Sequence, residues 1–130
     1  MKTIIATPNA PAAVGPYSQG VQANGLIFTA GQLGLDPQTG KFAGEDVAAQ
    51  ARQAMQNLQA ILEAAGSGLE HIIKTTIFLQ DMADFQAVNA IYGECFTATP
   101  PARSTVAVAG LPLGGLVEIE AIALVPADCC

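Results

Sequence analysis

The sequence predicts an α+β fold, a mixed β-sheet with two helices packed on one face. Three observations carry this. β-rich runs open and close the chain, apolar spacing at three and four residues appears in two separate segments, and one continuous apolar run lies between those segments. The 130 residues match the size of one domain, so residues 1–130 are read as a single unit.

In chain order, Lys2 to Ile5 reads as a short strand, and the Pro-rich stretch from Pro8 to Pro16 breaks regular structure. Ser18 to Gln22 and Leu26 to Ala30 flank Asn24-Gly25, the strongest short hairpin signal. Asp36 to Gly40 is a loop. From Asp46, Val47, Ala51, Met55, Leu58, Ile61, Leu62 and Ala65 form one helical stripe, with Arg52, Gln53, Gln56 and Gln59 opposite and Gly66 as the stop. Ile72 to Leu79 resembles a strand buried on both faces. Asp81 or Asp84 can cap a second helix with Phe85, Val88, Tyr92 and Phe96 as its stripe, which Pro100-Pro101 ends.

Arg103 to Ala109 and Leu116 to Val125 follow as strands, read as a hairpin around Leu111 to Gly115. Strand alternation then puts Val106 and Val108 beneath the helices with Val117, Ile119, Ala121, Ala123 and Val125. Arg103, Thr105, Ala107, Glu118, Glu120, Ile122 and Leu124 fall on the other face. That face is half apolar and no remaining element covers it, so a second subunit is the expected cover.

Composition narrows the function. Hydrophobic residues make up 51% and charged residues 12%, enough for a core but thin cover for a small monomer. A net charge of −6, with only Lys2, Lys41, Arg52, Lys74 and Arg103 cationic and never clustered, argues against nucleic acid and against anionic lipid. No transmembrane run or signal peptide is expected, and the cytoplasm is the default location. Cys95, Cys129 and Cys130 form neither a disulfide framework nor a metal spacing, and a single histidine excludes a His-rich metal site. No metal and no cofactor is expected.

Several side chains could do chemistry. Arg103 opens a strand, and its planar fork suits a substrate carboxylate; a structural ion pair with Glu118 or Glu120 across the hairpin is the alternative, and the two can coexist. Glu118 and Glu120 point one way among apolar neighbours, where a carboxylate could position water or exchange a proton, or else sit on a wet face. Gly15 to Gly20 and Ala30-Gly31-Gln32 could bring backbone N–H groups close to a ligand, though ordinary turns explain each alone. Tyr17 in its polar turn is a better ligand contact than Tyr92, which reads as core. His71, Ser18, Ser67, Ser104 and Cys95 lack partners for nucleophilic catalysis, and Gly114-Gly115 lacks the spacing of a phosphate loop.

Taken together, Ala10-Pro11-Ala12-Ala13-Val14-Gly15-Pro16-Tyr17-Ser18-Gln19-Gly20, Phe28 to Gln32, Val47 to Gln53, Asp84 to Asn89, Pro101-Ala102-Arg103-Ser104-Thr105 and Val117 to Ala123 resemble the RidA/YjgF family. The resemblance spans essentially the whole chain. It implies a chorismate-mutase-like homotrimer with clefts between subunits, and hydrolysis of 2-aminoacrylate-type enamines and their imine tautomers to 2-keto acids and ammonia. It further implies that Arg103 binds the substrate carboxylate with help from the Thr105 N–H. Gly31 contributes backbone, Tyr17 lines the cleft, Glu118 holds the attacking water and Asn89 lies nearby. Many relatives have Cys where Thr105 stands, a change a backbone role tolerates. A protonated imine is already electrophilic, so orientation of substrate and water can supply much of the rate. The alternative is a non-catalytic module that binds 2-keto acids in the same cleft. Relatives have also been described as ribonucleases, a role the acidic charge disfavours.

Overall fold

The computed structural model describes residues 1–127; Cys129 and Cys130 lie outside them. Strands β1 (Thr3–Ile5), β2 (Gly20–Ala23), β3 (Leu26–Thr29), β4 (Gln32–Leu33), β5 (Ile72–Leu79), β6 (Ala102–Ala107) and β7 (Val117–Leu124) form one mixed sheet. Its order is β1-β2-β3-β7-β5-β6, with β4 also paired to β7. The expected β2–β3 hairpin turns at Asn24 (φ 52) and Gly25 (φ 77), the left-handed pair that matches strand twist.

Helix α1 (Val47–Ala64) begins where the Asp46 carboxylate accepts the Ala49 N–H at 2.8 Å. It ends in a left-handed Gly66 (φ 79), with Gly66 N–H donating to Glu63 O and Ser67 N–H to Leu62 O. Its predicted stripe is the core: Ala51, Leu58, Ile61 and Leu62 are essentially sealed against β7. Burying each large side chain contributes about 1.5–3 kcal/mol. Two amides on α1 are also buried and tie down loops. Gln50 donates to Gly44 O and accepts from Leu116 N–H, and Asn57 donates to Leu33 O and Leu35 O.

Asp81, not Asp84, makes the side-chain cap before the second helix, accepting from Ala83 N–H at 2.9 Å. One 3-10 turn then leads into α2 (Phe85–Glu94), which packs on α1 and buries Val88, Ile91 and Tyr92. Phe96 lies beyond the helix end, its ring 4.8 Å from that of Tyr92.

The pairing of the last strands corrects the sequence reading. β6 and β7 are not a hairpin: β5 lies between them, parallel to β6 and antiparallel to β7. The connection crosses the end of β5, where Gln80 N–H donates to Leu116 O and Gln80 Oε1 accepts from Leu111 N–H. Changing β6's neighbour also inverts its faces. Thr75 pairs with both Arg103 and Ala121, so Arg103 and Thr105 lie on the helix side, while Ser104 and Val106 join the open face. For β7 the expected alternation holds, with Val117, Ile119, Ala121 and Ala123 buried. β5 is buried on one face only; the other carries half-covered Lys74, Thr76 and Phe78. The open face exposes Phe28, Val106 and Leu124 beside Glu118, Glu120 and Ile122.

Candidate active site

The sheet divides the predicted site residues into two groups. On the helix side, Arg103 is held at three points. Its Nη1 donates to Asn89 Oδ1 at 2.7 Å, and its guanidinium carbon lies 5.0 Å from the Tyr92 ring centroid and 5.6 Å from that of Phe85. Phe85, Asn89 and Tyr92 are spaced four and three along α2, which places them on one helix face. Cation–π contacts of this kind are worth about 0.5–2 kcal/mol each. Tyr92 is anchored in turn by a 2.7 Å hydrogen bond with Thr75, and burial raises its hydroxyl pKa, keeping it a neutral phenol.

Among the described residues Arg103 makes no ion pair, so its reading as a structural partner of Glu118 or Glu120 is not what the fold builds. A depression of about 400 Å³ beside it is lined by Asn89, Tyr92, Pro100 and Arg103. Thr105 shares this face. Val108 N–H donates to Leu79 O, so ladder alternation turns the Thr105 N–H toward the free sheet edge. The Thr105 hydroxyl is buried with no hydrogen-bond partner.

On the open face, Glu118 sits in a cavity of about 640 Å³ with Tyr17, Gly31, Leu33 and Leu113. Gly31 occupies the break between β3 and β4, both of which pair with β7. A Cβ there would lie 2.8 Å from Glu118 Cδ, so glycine is required for the carboxylate to fold over the backbone. Burial first, and then the Glu120 charge, raises the Glu118 carboxyl above the ordinary carboxylate range. One wall is the 7–14 segment, shaped by the buried Gln19 amide. Its Oε1 accepts Thr7 N–H, and its Nε2 donates to Thr7 O, Ala10 O and Pro11 O.

Tyr17, Gly31 and Glu118 are thus brought together, as are Arg103 and Asn89, with Thr105 two residues on along the same strand face; one protomer does not bring the two groups together. Sequence reasoning missed the role of Tyr92 and Phe85. Their spacing from Asn89 was the available signal. Among the described residues the His71 ring meets only Glu70, at 3.5 Å, and burial raises the Cys95 thiol, which favours the unreactive protonated form.

Known proteins share this arrangement of elements. The family model described as Endoribonuclease L-PSP matches residues 7–125. The RutC family protein slr0709 of Synechocystis is 58% identical over 95% of this chain and 96% of that protein. The 2-iminobutanoate/2-iminopropanoate deaminase of Salmonella typhimurium is 54% identical over 95% of this chain and 98% of its own length. The crystal structure of the YjgF gene product of E. coli matches with a TM-score of 0.90 at 54% identity, covering 94% of this chain and 98% of that one. The chain belongs to the endoribonuclease L-PSP family, the RidA/YjgF proteins.

Proposed function

We propose that the protein is a cytoplasmic, chorismate-mutase-like homotrimer that hydrolyses 2-imino acids and their enamine tautomers to 2-keto acids and ammonia. The observation that carries this reading is the segregation of Arg103 and Glu118 to opposite faces of one sheet. An unpaired guanidinium and a half-buried carboxylate serve one small substrate only if the open face of one protomer meets the α2 side of the next. The exposed Phe28, Val106 and Leu124 favour such a contact, since they leave apolar area that a neighbour would cover. A deaminase activity suits the relatives, and the acidic charge, with its scattered cations, suits RNA poorly.

In the composite cleft Arg103 grips the substrate carboxylate with the edge that Asn89 leaves free, and the Thr105 N–H donates a further bond. Tyr17 and the Gly31 backbone line the opposite wall. Glu118 holds a water against the C=N carbon and accepts its proton as the oxygen adds, the imine electron pair moving to nitrogen. The carbinolamine then collapses: its nitrogen takes up a proton and leaves as ammonia, while the hydroxyl loses its proton and C=O forms. Neither a thiol nor a cofactor is needed.

The test couples a threonine dehydratase or an amino-acid oxidase to the protein and follows imine loss by semicarbazide trapping. Wild type accelerates loss, and Arg103→Ala and Glu118→Gln each abolish the acceleration. Trimers assembled from an equal mixture of the two variants recover activity, because about a quarter of their clefts pair an intact Arg103 with an intact Glu118. Mixed trimers of confirmed mass with no recovery would overturn the composite cleft. A folded wild type with no acceleration on any imine would favour the 2-keto-acid-binding module.

A further inference from the structure

Residues 7–14 belong to no strand or helix, and no backbone–backbone hydrogen bond joins them to the rest of the described chain. Pro8 and Pro11 have no N–H to offer such a bond. Only Ala10 is buried in the core. Side chains hold the segment instead, chiefly that of Gln19. Its Oε1 accepts Thr7 N–H at 2.6 Å, and its Nε2 donates to Thr7 O at 3.0 Å, Ala10 O at 3.1 Å and Pro11 O at 2.8 Å. The other tie is long, from Val14 N–H to the Tyr17 hydroxyl at 3.4 Å.

Gln19 is itself fixed from behind. Its carbonyl accepts Ala30 N–H at 2.8 Å, and the next residue, Gly20, lies so close to α1 that a Cβ there would meet Ile61 Cγ2 at 3.0 Å. At 5% exposure its bonds are internal to one protomer, so a covering subunit neither makes nor replaces them. The residue joins three parts of the wall around Glu118. Pro11, Ala12 and Val14 hang from its side chain, Gly31 follows the residue bonded to its carbonyl, and Tyr17 lies two residues before it.

Building on the deaminase reading, we propose that Gln19 is a positioning residue, whose carboxamide latches the 7–14 segment so that this segment and Tyr17 hold the substrate in register with Glu118. The latch needs donors and an acceptor on one side chain, which a glutamine has and an ionised glutamate lacks. A neutral carboxylic acid still donates once and accepts once. Ionised, it would face the Thr7, Ala10 and Pro11 carbonyl oxygens with only the Thr7 N–H in its favour.

Gln19→Glu turns that difference into a pH readout. Threonine dehydratase supplies the imine, and semicarbazide trapping gives kcat and KM from mildly acidic to mildly alkaline pH. The other titratable side chains around the cavity, Tyr17, Asp36 and Glu118, are common to both proteins, so the ratio of variant to wild-type KM isolates residue 19. That ratio should start near one and rise roughly ten-fold as the buried acid ionises, as loss of the latch's hydrogen bonds implies, while kcat follows wild type. Hydrogen exchange at the Thr7 and Val14 amides, which needs no turnover, should quicken relative to wild type over the same range. Gln19→Met, with neither donor nor acceptor, should raise KM and quicken exchange at every pH. KM values that match wild type in both variants, with exchange quickened, would overturn the inference while leaving the deaminase reading intact. A wild type inactive on every imine would sink the reading itself, and the inference with it.

Discussion

Arg103 stands at the exposed end of the helix-covered face, stacked on two aromatic rings with one donor committed to Asn89, whereas Glu118 lies on the uncovered face, half-buried over Gly31 in an apolar cavity. The contrast follows from their chemistry. A guanidinium is charged at every working pH, so only its direction needs control, and a hydrogen bond with flat π-faces supplies that without neutralising it. A carboxylate that must take and return a proton needs its affinity adjusted, and partial burial beside a like charge does so. In the proposed site, one half is set by orientation, the other by environment.

Removing the carboxylate while keeping its shape should break the comparison most severely. Glu118→Gln is expected to lower kcat by about 10²–10⁴-fold, the usual contribution of a positioned proton acceptor. Stability should move the other way. A carboxyl whose folded pKa exceeds its unfolded value destabilises the fold progressively as pH rises through that window, and fully above it. The amide has no such penalty, so a thermal melt at neutral pH should place Glu118→Gln level with wild type or higher.

A smaller effect sharpens the environmental half. In the proposed mechanism water activation needs the Glu118 carboxylate ionised, so activity should fall on acidification at a pH above that of an ordinary glutamate. Glu120→Gln removes the neighbouring like charge, and its kcat/KM profile should show that acid limb displaced downward. A limb that stays in place would mean burial alone sets it.

The smallest effect probes orientation. Tyr92→Leu should raise KM by up to about ten-fold with little change in kcat, matching the loss of roughly 0.5–1.5 kcal/mol of guanidinium positioning. Tyr92→Phe keeps the ring and loses only the Thr75 hydrogen bond, so it should melt lower yet keep KM near wild type. Equal KM changes in both variants would show that the hydroxyl, not the π-face, positions Arg103.

Features written in local sequence were legible. The α1 stripe and its Gly66 stop, the Asn24-Gly25 turn and the β7 alternation all depend on neighbours within a few residues. β6 was different, because strand alternation shows which residues share a face but not which neighbour the strand takes. A short connection suggested a β6–β7 hairpin, whereas the Phe85–Glu94 crossover pairs β6 with β5 and turns Arg103 to the helix side. Arg103, Glu118, Tyr17, Gly31, Thr105 and Asn89 were nameable from the resemblance; their division between two faces was not. Tyr92 was read as core from its place in the α2 stripe; its ring is buried, and the same ring also forms a wall beside Arg103.

The position of β7 bears on how the chain reaches this state. Last in chain order among the described strands, it lies in the middle of the sheet, pairing β3 on one side and β5 on the other. Before it docks, the β1–β3 meander and the β5–α2–β6 unit each carry an unpaired inner edge, and α1 lacks the surface it covers most. Because contacts this distant in sequence close late, folding should be limited by the arrival of that strand. A nascent chain would hold two adhesive half-sheets until then, the interval in which chaperones would matter most.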